Sequence, residues 1–467
     1  MLKKISIFRI VNLLYFCAIL VIGIVYCKER ALFADCSPAL YEFIDKHIPY
    51  FGLNRISPFI NYIFPCLLSL FDVPISVIIY SFGLNYLLLP ILVYVFLRYK
   101  QTSIKYEVLF LVSFAFFNTY TFFYSLHDYW TGFYLFFVLI RLIDDVYFKT
   151  LKRKIIYILL LNILILNAHS SLLFPLFSFY LFYYIFGENK DKQILKYAGS
   201  VLVLYALLNV LLPMHYDKVI LASDIFDKQI FHSIMFVSFI KSWQGINLFY
   251  CIAIIFTVAI LLYKKKFTLT GFFIFIVVAS FALFLLYFQQ FEYTIYSEGQ
   301  LKAVATLVPI IIVFCLFRFL NKKYVLMFAV VCYSFSVFNL LKGANLVRTQ
   351  YNAIKHTLTL FDSNVYLTSS KENCPLECIS IAQQSYFINQ LEFNRNFCIF
   401  SNINDNKFVQ TLNQHWIEQN KTQTNKLLKF PDEIKYLNAD SLGVDITKMF
   451  AIYPNNSCDM MIDRLSH

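Results

Sequence analysis

The sequence predicts an all-α polytopic membrane protein of about eleven transmembrane helices, closed by a small C-terminal extracytoplasmic soluble domain. Three observations carry this. Hydrophobic residues fill 59% of the 467 positions and charged residues only 15%, too little polar surface to coat a soluble globule of this size. Apolar runs of roughly 17 to 22 residues recur, each long enough at about 1.5 Å per residue to cross a hydrocarbon layer roughly 30 Å thick. After Leu341 the runs stop.

The first run, Ile10 to Cys27, follows Lys3, Lys4 and Arg9 and lacks a small-residue cleavage site, so it reads as an uncleaved helix. Further spans are expected at 75–97, 106–124, 129–147, 155–169, 171–186, 197–213, 245–263, 270–288, 303–320 and 324–341. The stretch Pro58 to Phe71 is shorter and carries Pro58 and Pro65, which suits a re-entrant or interfacial helix inside an external loop of residues 28–74. A second short apolar stretch near Ile230 to Ile240 reads as lying along the outer interface. The domain boundary falls at 341/342.

Charge fixes the sidedness of this arrangement. With the N-terminus cytoplasmic, the inner connections hold Arg98, Lys100 and Lys105; Lys149, Lys152, Arg153 and Lys154; Lys190, Lys192 and Lys196; Lys264, Lys265 and Lys266; and Arg318, Lys322 and Lys323. The short outer connections around Tyr124 to Trp130 and Ala168 to Ser171 carry no Lys or Arg. Longer outer loops do carry some, such as Lys28, Arg30 and Lys218, dispersed among acidic residues. Of the 40 basic and 28 acidic residues, 12 and 12 lie beyond Leu341, leaving 28 and 16 upstream. The net charge of +12 thus belongs entirely to the membrane part, where it is a topology signal and no nucleic-acid partner is expected.

The C-terminal segment, 342–467, is rich in Asn, Gln and Lys, and Val365 to Thr368 reads as a short strand candidate. Its Cys374, Cys378, Cys398 and Cys458 would lie in a compartment that permits disulfides, with three pairings open. A zinc site is the sharper alternative, but Cys374 and Cys378 have no second close pair.

Ionisable residues are expensive at membrane depth, so their places are informative. Asp35 precedes Ser37-Pro38, an N-cap and first helical position, and complementing that helix's dipole is the plain reading of it. Arg55, His127, Asp128, His169, Asp217, Asp224, Glu292 and Glu298 join it on the outer side. Singly they read as solvated or hydrogen-bonded groups; together they outline a polar pocket. Such a pocket suits glycosyl transfer from a lipid-linked donor: a carboxylate deprotonates the acceptor hydroxyl, and Arg or His stabilises the leaving phosphate. No Walker or Rossmann glycine loop and no H-E-x-x-H motif occurs, which disfavours nucleotide-driven transport by this chain alone. Asp144 and Asp145, near the basic 149–154 stretch, read as a solvated charge cluster.

The order of features, a first span, a loop with Asp35, then Arg55, a short helix and many spans before an external segment, resembles the C-type (GT-C) membrane glycosyltransferases. More closely, it is similar to a GT-C-like group of multi-pass proteins from Bacteroidetes-type bacteria. Phe33-Ala34-Asp35, His127-Asp128, Asn167-Ala168-His169 and Tyr296-Ser297-Glu298 carry the likeness over about residues 8 to 341. It implies a sugar donor on a polyprenyl phosphate, transfer on the outer face of the cytoplasmic membrane to a glycan, lipid or protein acceptor, and Asp35 as general base. Arg55, His127, Asp128, His169 and Glu298 are the candidate substrate-binding residues. A single acid at the Asp35 position, where better-known members have a pair, leaves open whether a divalent metal takes part. An O-antigen-type polymerase or ligase, and a flippase or transporter of lipid-linked substrate, are the alternatives.

Overall fold

The computed structural model describes residues 7–33, 36–37, 40, 57–71, 73–99, 104–117, 120–123, 129–144, 151–187, 193–211, 246–287, 301–359, 365–367, 381–394 and 399–401. These residues are overwhelmingly helical. The helices are α1 (Ile7–Val25), α2 (Cys27–Leu32), α3 (Ile63–Leu68), α4 (Ile75–Asn85), α5 (Leu88–Arg98), α6 (Lys105–Phe117), α7 (Tyr129–Asp144) and α8 (Leu151–Ala168). They continue with α9 (Leu173–Phe186), α10 (Gln193–Leu211), α11 (Ile246–Tyr263), α12 (Phe267–Tyr287), α13 (Leu307–Phe319), α14 (Lys322–Thr359) and α15 (Ile381–Phe393). Short 3-10 turns occupy Ser57–Asn61, Tyr120–Phe123 and Ser170–Leu172.

Five stretches among the described residues are long and apolar enough to cross a membrane: Ile7–Val25, Ile75–Arg98, Gln193–Leu211, Phe267–Phe284 and Lys322–His356. Shorter apolar helices cover Ser170–Phe186, Leu248–Tyr263 and Leu307–Phe319. Large apolar side chains such as Leu14, Val210, Ile255 and Phe338 face outward, where a bilayer in place of water removes the penalty for exposing them.

Two helices break four residues before a proline. Pro90 supplies no N–H to the Tyr86 carbonyl and its ring crowds that carbonyl. The chain accordingly turns at Tyr86 and Leu87, between α4 and α5. Likewise residues 301–304 are helical, Ala305 and Thr306 form a turn, and Pro309 follows in α13.

α1 and α14 run parallel. Tyr333 donates to Asn12 Oδ1 at 3.0 Å, Tyr15 and Ser336 share a 2.7 Å hydrogen bond, and Arg348 donates to Glu29 at 3.0 Å. The Tyr15 and Tyr333 rings stack at 4.1 Å. Both helices therefore begin at the same end of the bundle. That end also gathers Arg9 and Arg98, each 3.8 Å from the buried Glu107. There too Lys105 lies 5.3 Å from the Phe314 ring and Arg318 donates to the Phe186 carbonyl. Asp144 is not a solvated charge at this end: it accepts from Tyr106 at 2.6 Å and also from Tyr183.

The boundary expected at 341/342 falls inside a continuous helix. Beyond the apolar run, α14 buries Leu340, Ala344, Val347, Tyr351, Ile354 and Leu358, a stripe of alternating four and three residue steps. α15 packs on this extension with Phe387 and Ile388 fully buried. The strand candidate is a strand, β1 (Val365–Leu367), paired in parallel with β2 (Ile399–Ser401) in register Val365 to Ile399. Thr368 lies outside the described residues, as do the 230–240 stretch, Cys374, Cys378, Cys398 and Cys458.

Candidate functional site: a buried polar region around Arg30

α2 continues the direction of α1 after a turn at Tyr26, with Arg30 N–H bonded to the Tyr26 carbonyl at 3.0 Å. A helical side chain points toward its own N-terminus, so the long Arg30 stem runs back along α1. Its Nη1 reaches Gly23, where a Cβ would meet it at 3.1 Å. From the sequence, Arg30 counts among the dispersed charges of an outer loop. It is instead fully buried alongside the first apolar span.

Three residues hold the guanidinium. Nε donates to the Phe122 carbonyl at 3.1 Å, and Nη1 reaches the Gly83 carbonyl at 3.5 Å. The rings of Phe122 and Tyr86 flank it at 4.3 and 5.0 Å, a cation–π contact at each. Gly83 is available because of the helix break: Leu87 N–H bonds the Leu84 carbonyl at 2.9 Å and leaves the Gly83 carbonyl to Arg30. Gly83 also lets α4 touch α2, since a Cβ there would lie 2.3 Å from the Cys27 carbonyl.

From Arg30 the polar region continues along the Ser57–Asn61 turn. Asn85 donates to the Ile60 carbonyl at 3.2 Å, and Asn61 donates to Thr131 Oγ1 at 2.7 Å. Ser57 N–H bonds Asn167 Oδ1 at 2.9 Å and its hydroxyl bonds the Leu164 carbonyl at 2.6 Å. This turn therefore joins the start of α7 to the end of α8. Gly132 permits that approach, a Cβ there lying 3.1 Å from Ala168 Cβ. Aromatic rings wall the region: Trp130 stacks on Tyr134 at 5.6 Å and meets Phe133 edge-on at 5.3 Å.

Two buried side-chain oxygens here, Oδ1 of Asn61 and of Asn85, have no hydrogen-bond partner among the described residues, while the Tyr86 and Tyr134 hydroxyls bond each other beside the guanidinium. Each such group costs about 1–3 kcal/mol in a folded protein, and membrane depth offers no bulk water to relieve it. Two such acceptors and a tyrosine pair around a fully buried guanidinium mark the region as a candidate ligand site.

Of the residues singled out from the sequence, His169 is described and is part of this region. It is buried and caps the Ser170–Leu172 turn, its Nδ1 accepting from Ser171 N–H at 3.2 Å. That bond assigns the ring proton to Nε2. Asp35, Arg55, His127, Asp128 and Glu298 lie outside the described residues, as do Asp217, Asp224 and Glu292. Arg30, Tyr86 and Tyr134 were missed. The available signals were Gly23 two turns before Arg30, and Pro90 with Gly83 inside one apolar run. Among the described residues no group of three or more His, Cys, Asp or Glu side chains gathers to hold a metal.

The remaining groove of note lies elsewhere. About 520 Å³ between α1 and α14, it is lined by apolar residues including Val11, Leu14, Val330, Val337 and Leu341. The chain matches no protein-family profile, no curated protein and no solved structure.

Proposed function

We propose that the protein is a glycosyltransferase of the cytoplasmic membrane. It moves a sugar from a polyprenyl-phosphate-linked donor to a glycan, lipid or protein acceptor on the outer face. In this reading the chain has a GT-C-like arrangement of about eleven crossings, a cytoplasmic N-terminus and an external C-terminal segment. The observation that carries it is the buried polar region around Arg30, set away from the Arg9–Glu107–Arg98 end. Gly23, beside the guanidinium, is fourteen residues beyond Arg9, about 21 Å of helix. A departing lipid phosphate needs positive charge in a place that water does not screen, and a fixed guanidinium supplies it. Asp35, five residues after Arg30, serves as general base toward the acceptor hydroxyl.

The test is sugar transfer in reconstituted proteoliposomes. Asp35→Asn is expected to abolish transfer while leaving expression intact; full activity in that variant removes Asp35 from the mechanism. A single missing sugar in the glycan of a deletion strain agrees with this reading, whereas an altered chain-length ladder points to a polymerase or ligase.

One observation favours a second reading. The proline breaks at Tyr86–Leu87 and Ala305–Thr306 make discontinuous helices of the kind that transporters use near their substrate sites. Movement of lipid-linked sugar across the bilayer without bond formation would establish a flippase instead.

A further inference from the structure

Three consecutive residues of α2 are tied to three different parts of the protein. Lys28 donates to Glu392 Oε1 of α15 at 2.8 Å and sits 4.8 Å from the Tyr351 ring. Glu29 accepts from Arg348 of α14 at 3.0 Å. Arg30 reaches the Phe122 and Gly83 carbonyls in the bundle.

The α15 end of this linkage is dense. Glu392 accepts from Lys28, from Tyr351 at 2.7 Å and from Lys355, so one carboxylate joins α2, α14 and α15. Arg348 adds a second tie, with its guanidinium 4.1 Å from the Tyr26 ring at the α1–α2 turn and Nη2 reaching the Val25 carbonyl at 3.5 Å. Gln350 donates to Gln384 of α15 at 3.2 Å inside the same contact.

α2 is only six residues long and is bonded back to α1 across the Tyr26 turn, so within that frame its tilt depends on what else grips it. Arg30 has a fixed stem on that helix, so a tilt of α2 displaces the guanidinium relative to the Phe122 and Gly83 carbonyls.

We propose that the C-terminal segment, acting through Glu392 and Arg348, holds α2 and thereby sets the position of the Arg30 guanidinium. Glu392 and Arg348 are positioning residues, and the segment beyond Leu341 is a working part of the site rather than an appended domain. This rests on Arg30 belonging to the functional region, yet the coupling itself is independent of which reaction occurs there.

The experiment is hydrogen exchange on the full-length protein in lipid nanodiscs, read at three places: residues 27–32, residues 120–123 and the α6 start at 105–110. Lys28→Met cuts only the tie from α2 to Glu392, leaving Glu392 its bonds from Tyr351 and Lys355 and Glu29 its bond from Arg348. It is expected to speed exchange at 27–32 and 120–123 about tenfold while α15 and 105–110 keep their protection. Glu392→Gln should do the same and also loosen α15. The exchanged pair Lys28→Glu with Glu392→Lys should restore part of the protection at 27–32. If the double variant Lys28→Met with Arg348→Met, which cuts both ties, leaves 27–32 and 120–123 at wild-type rates, α2 is held without the C-terminal segment and the proposal is overturned. It is also overturned if exchange rises equally at 105–110, which would mean general loosening. Sugar transfer measured beside this separates the two ideas: a wild-type protein with no transferase activity removes the proposed reaction, while the exchange pattern alone decides the coupling.

Discussion

Arg30 Nη1 points at the carbonyl of Gly83 because Pro90, seven residues further on, has interrupted the helix that would otherwise use that carbonyl. Pro90→Ala lets Leu87 N–H return to Gly83 and takes an acceptor from the guanidinium. Helix repair gains up to about 3 kcal/mol, while losing a hydrogen bond to a charged group costs about 1.5–3 kcal/mol. The two nearly offset. The variant is expected to melt within a few degrees of wild type in detergent while the proposed sugar transfer falls at least about tenfold. A large change in melting temperature with unaltered transfer would separate the break from the site.

The glycines give a sharper contrast. A Cβ at Gly83 would lie 2.3 Å from the Cys27 carbonyl and 2.9 Å from its Sγ, and the first of these is backbone that cannot rotate away. Gly83→Ala is expected to destabilise by about 1–3 kcal/mol through forced separation of α2 and α4. Gly199 has nothing within 4 Å, so Gly199→Ala in α10 should be neutral or should stabilise by up to about 1 kcal/mol from helix propensity. Thermal unfolding of the two variants side by side in one detergent checks both signs.

Much of the helical pattern was legible because lipid demands long apolar runs. α9 and α11 begin or end within about two residues of the spans read from the sequence. What the runs did not show is helix without apolar character all round. The stripe Leu340, Ala344, Val347, Tyr351, Ile354 and Leu358 is an amphipathic signal, readable by its spacing, that carries α14 to Thr359 after the run ends. Arg30 was illegible for a different reason. A basic residue just after an apolar run looks like a topology determinant, and only the backward reach of its side chain to Gly23 takes it into the bundle. Asp144 was misread similarly: Tyr106 and Tyr183, 38 and 39 residues away in sequence, convert an apparent free surface charge into a half-buried acceptor.

The Glu392 carboxylate gives the C-terminal attachment an acid-sensitive character. Burial alone would raise its pKa, but hydrogen bonds from Lys28, Lys355 and Tyr351 outweigh this and hold it down at about 2. The sign follows: a depressed folded pKa stabilises the attachment above the unfolded value near 4.3, and the contribution is lost as pH falls toward about 2. The upper bound is about 3 kcal/mol, reduced to roughly 1–2 by solvent around the partly exposed lysines. Limited proteolysis of residues 381–394 by an acid-active protease should therefore accelerate between about pH 4.5 and 2 in the wild type. Glu392→Gln should be cut readily throughout that window with no such inflection. Equal pH profiles for the two proteins would show that this carboxylate contributes nothing to the attachment.

The parallel pairing of α1 with α14 constrains topology. Asn12 with Tyr333, Tyr15 with Ser336 and Glu29 with Arg348 ascend together, so the starts of both helices share one end of the bundle. If each crosses once, an odd number of crossings lies between them and the end of α14 faces away from residue 1. On the proposed orientation, the positive-inside rule then puts Lys264 to Lys266 and Lys322 to Lys323 on the side of residue 1, taken as cytoplasmic. Truncation fusions test this directly. A green fluorescent protein joined after Lys266 or after Lys323 is expected to fluoresce, and alkaline phosphatase joined at His467 is expected to be active. Phosphatase activity at Lys266 together with inactivity at His467 would invert the assignment and put the Arg30 region on the cytoplasmic half. An odd-numbered reading would survive only if the two junctions still reported opposite faces.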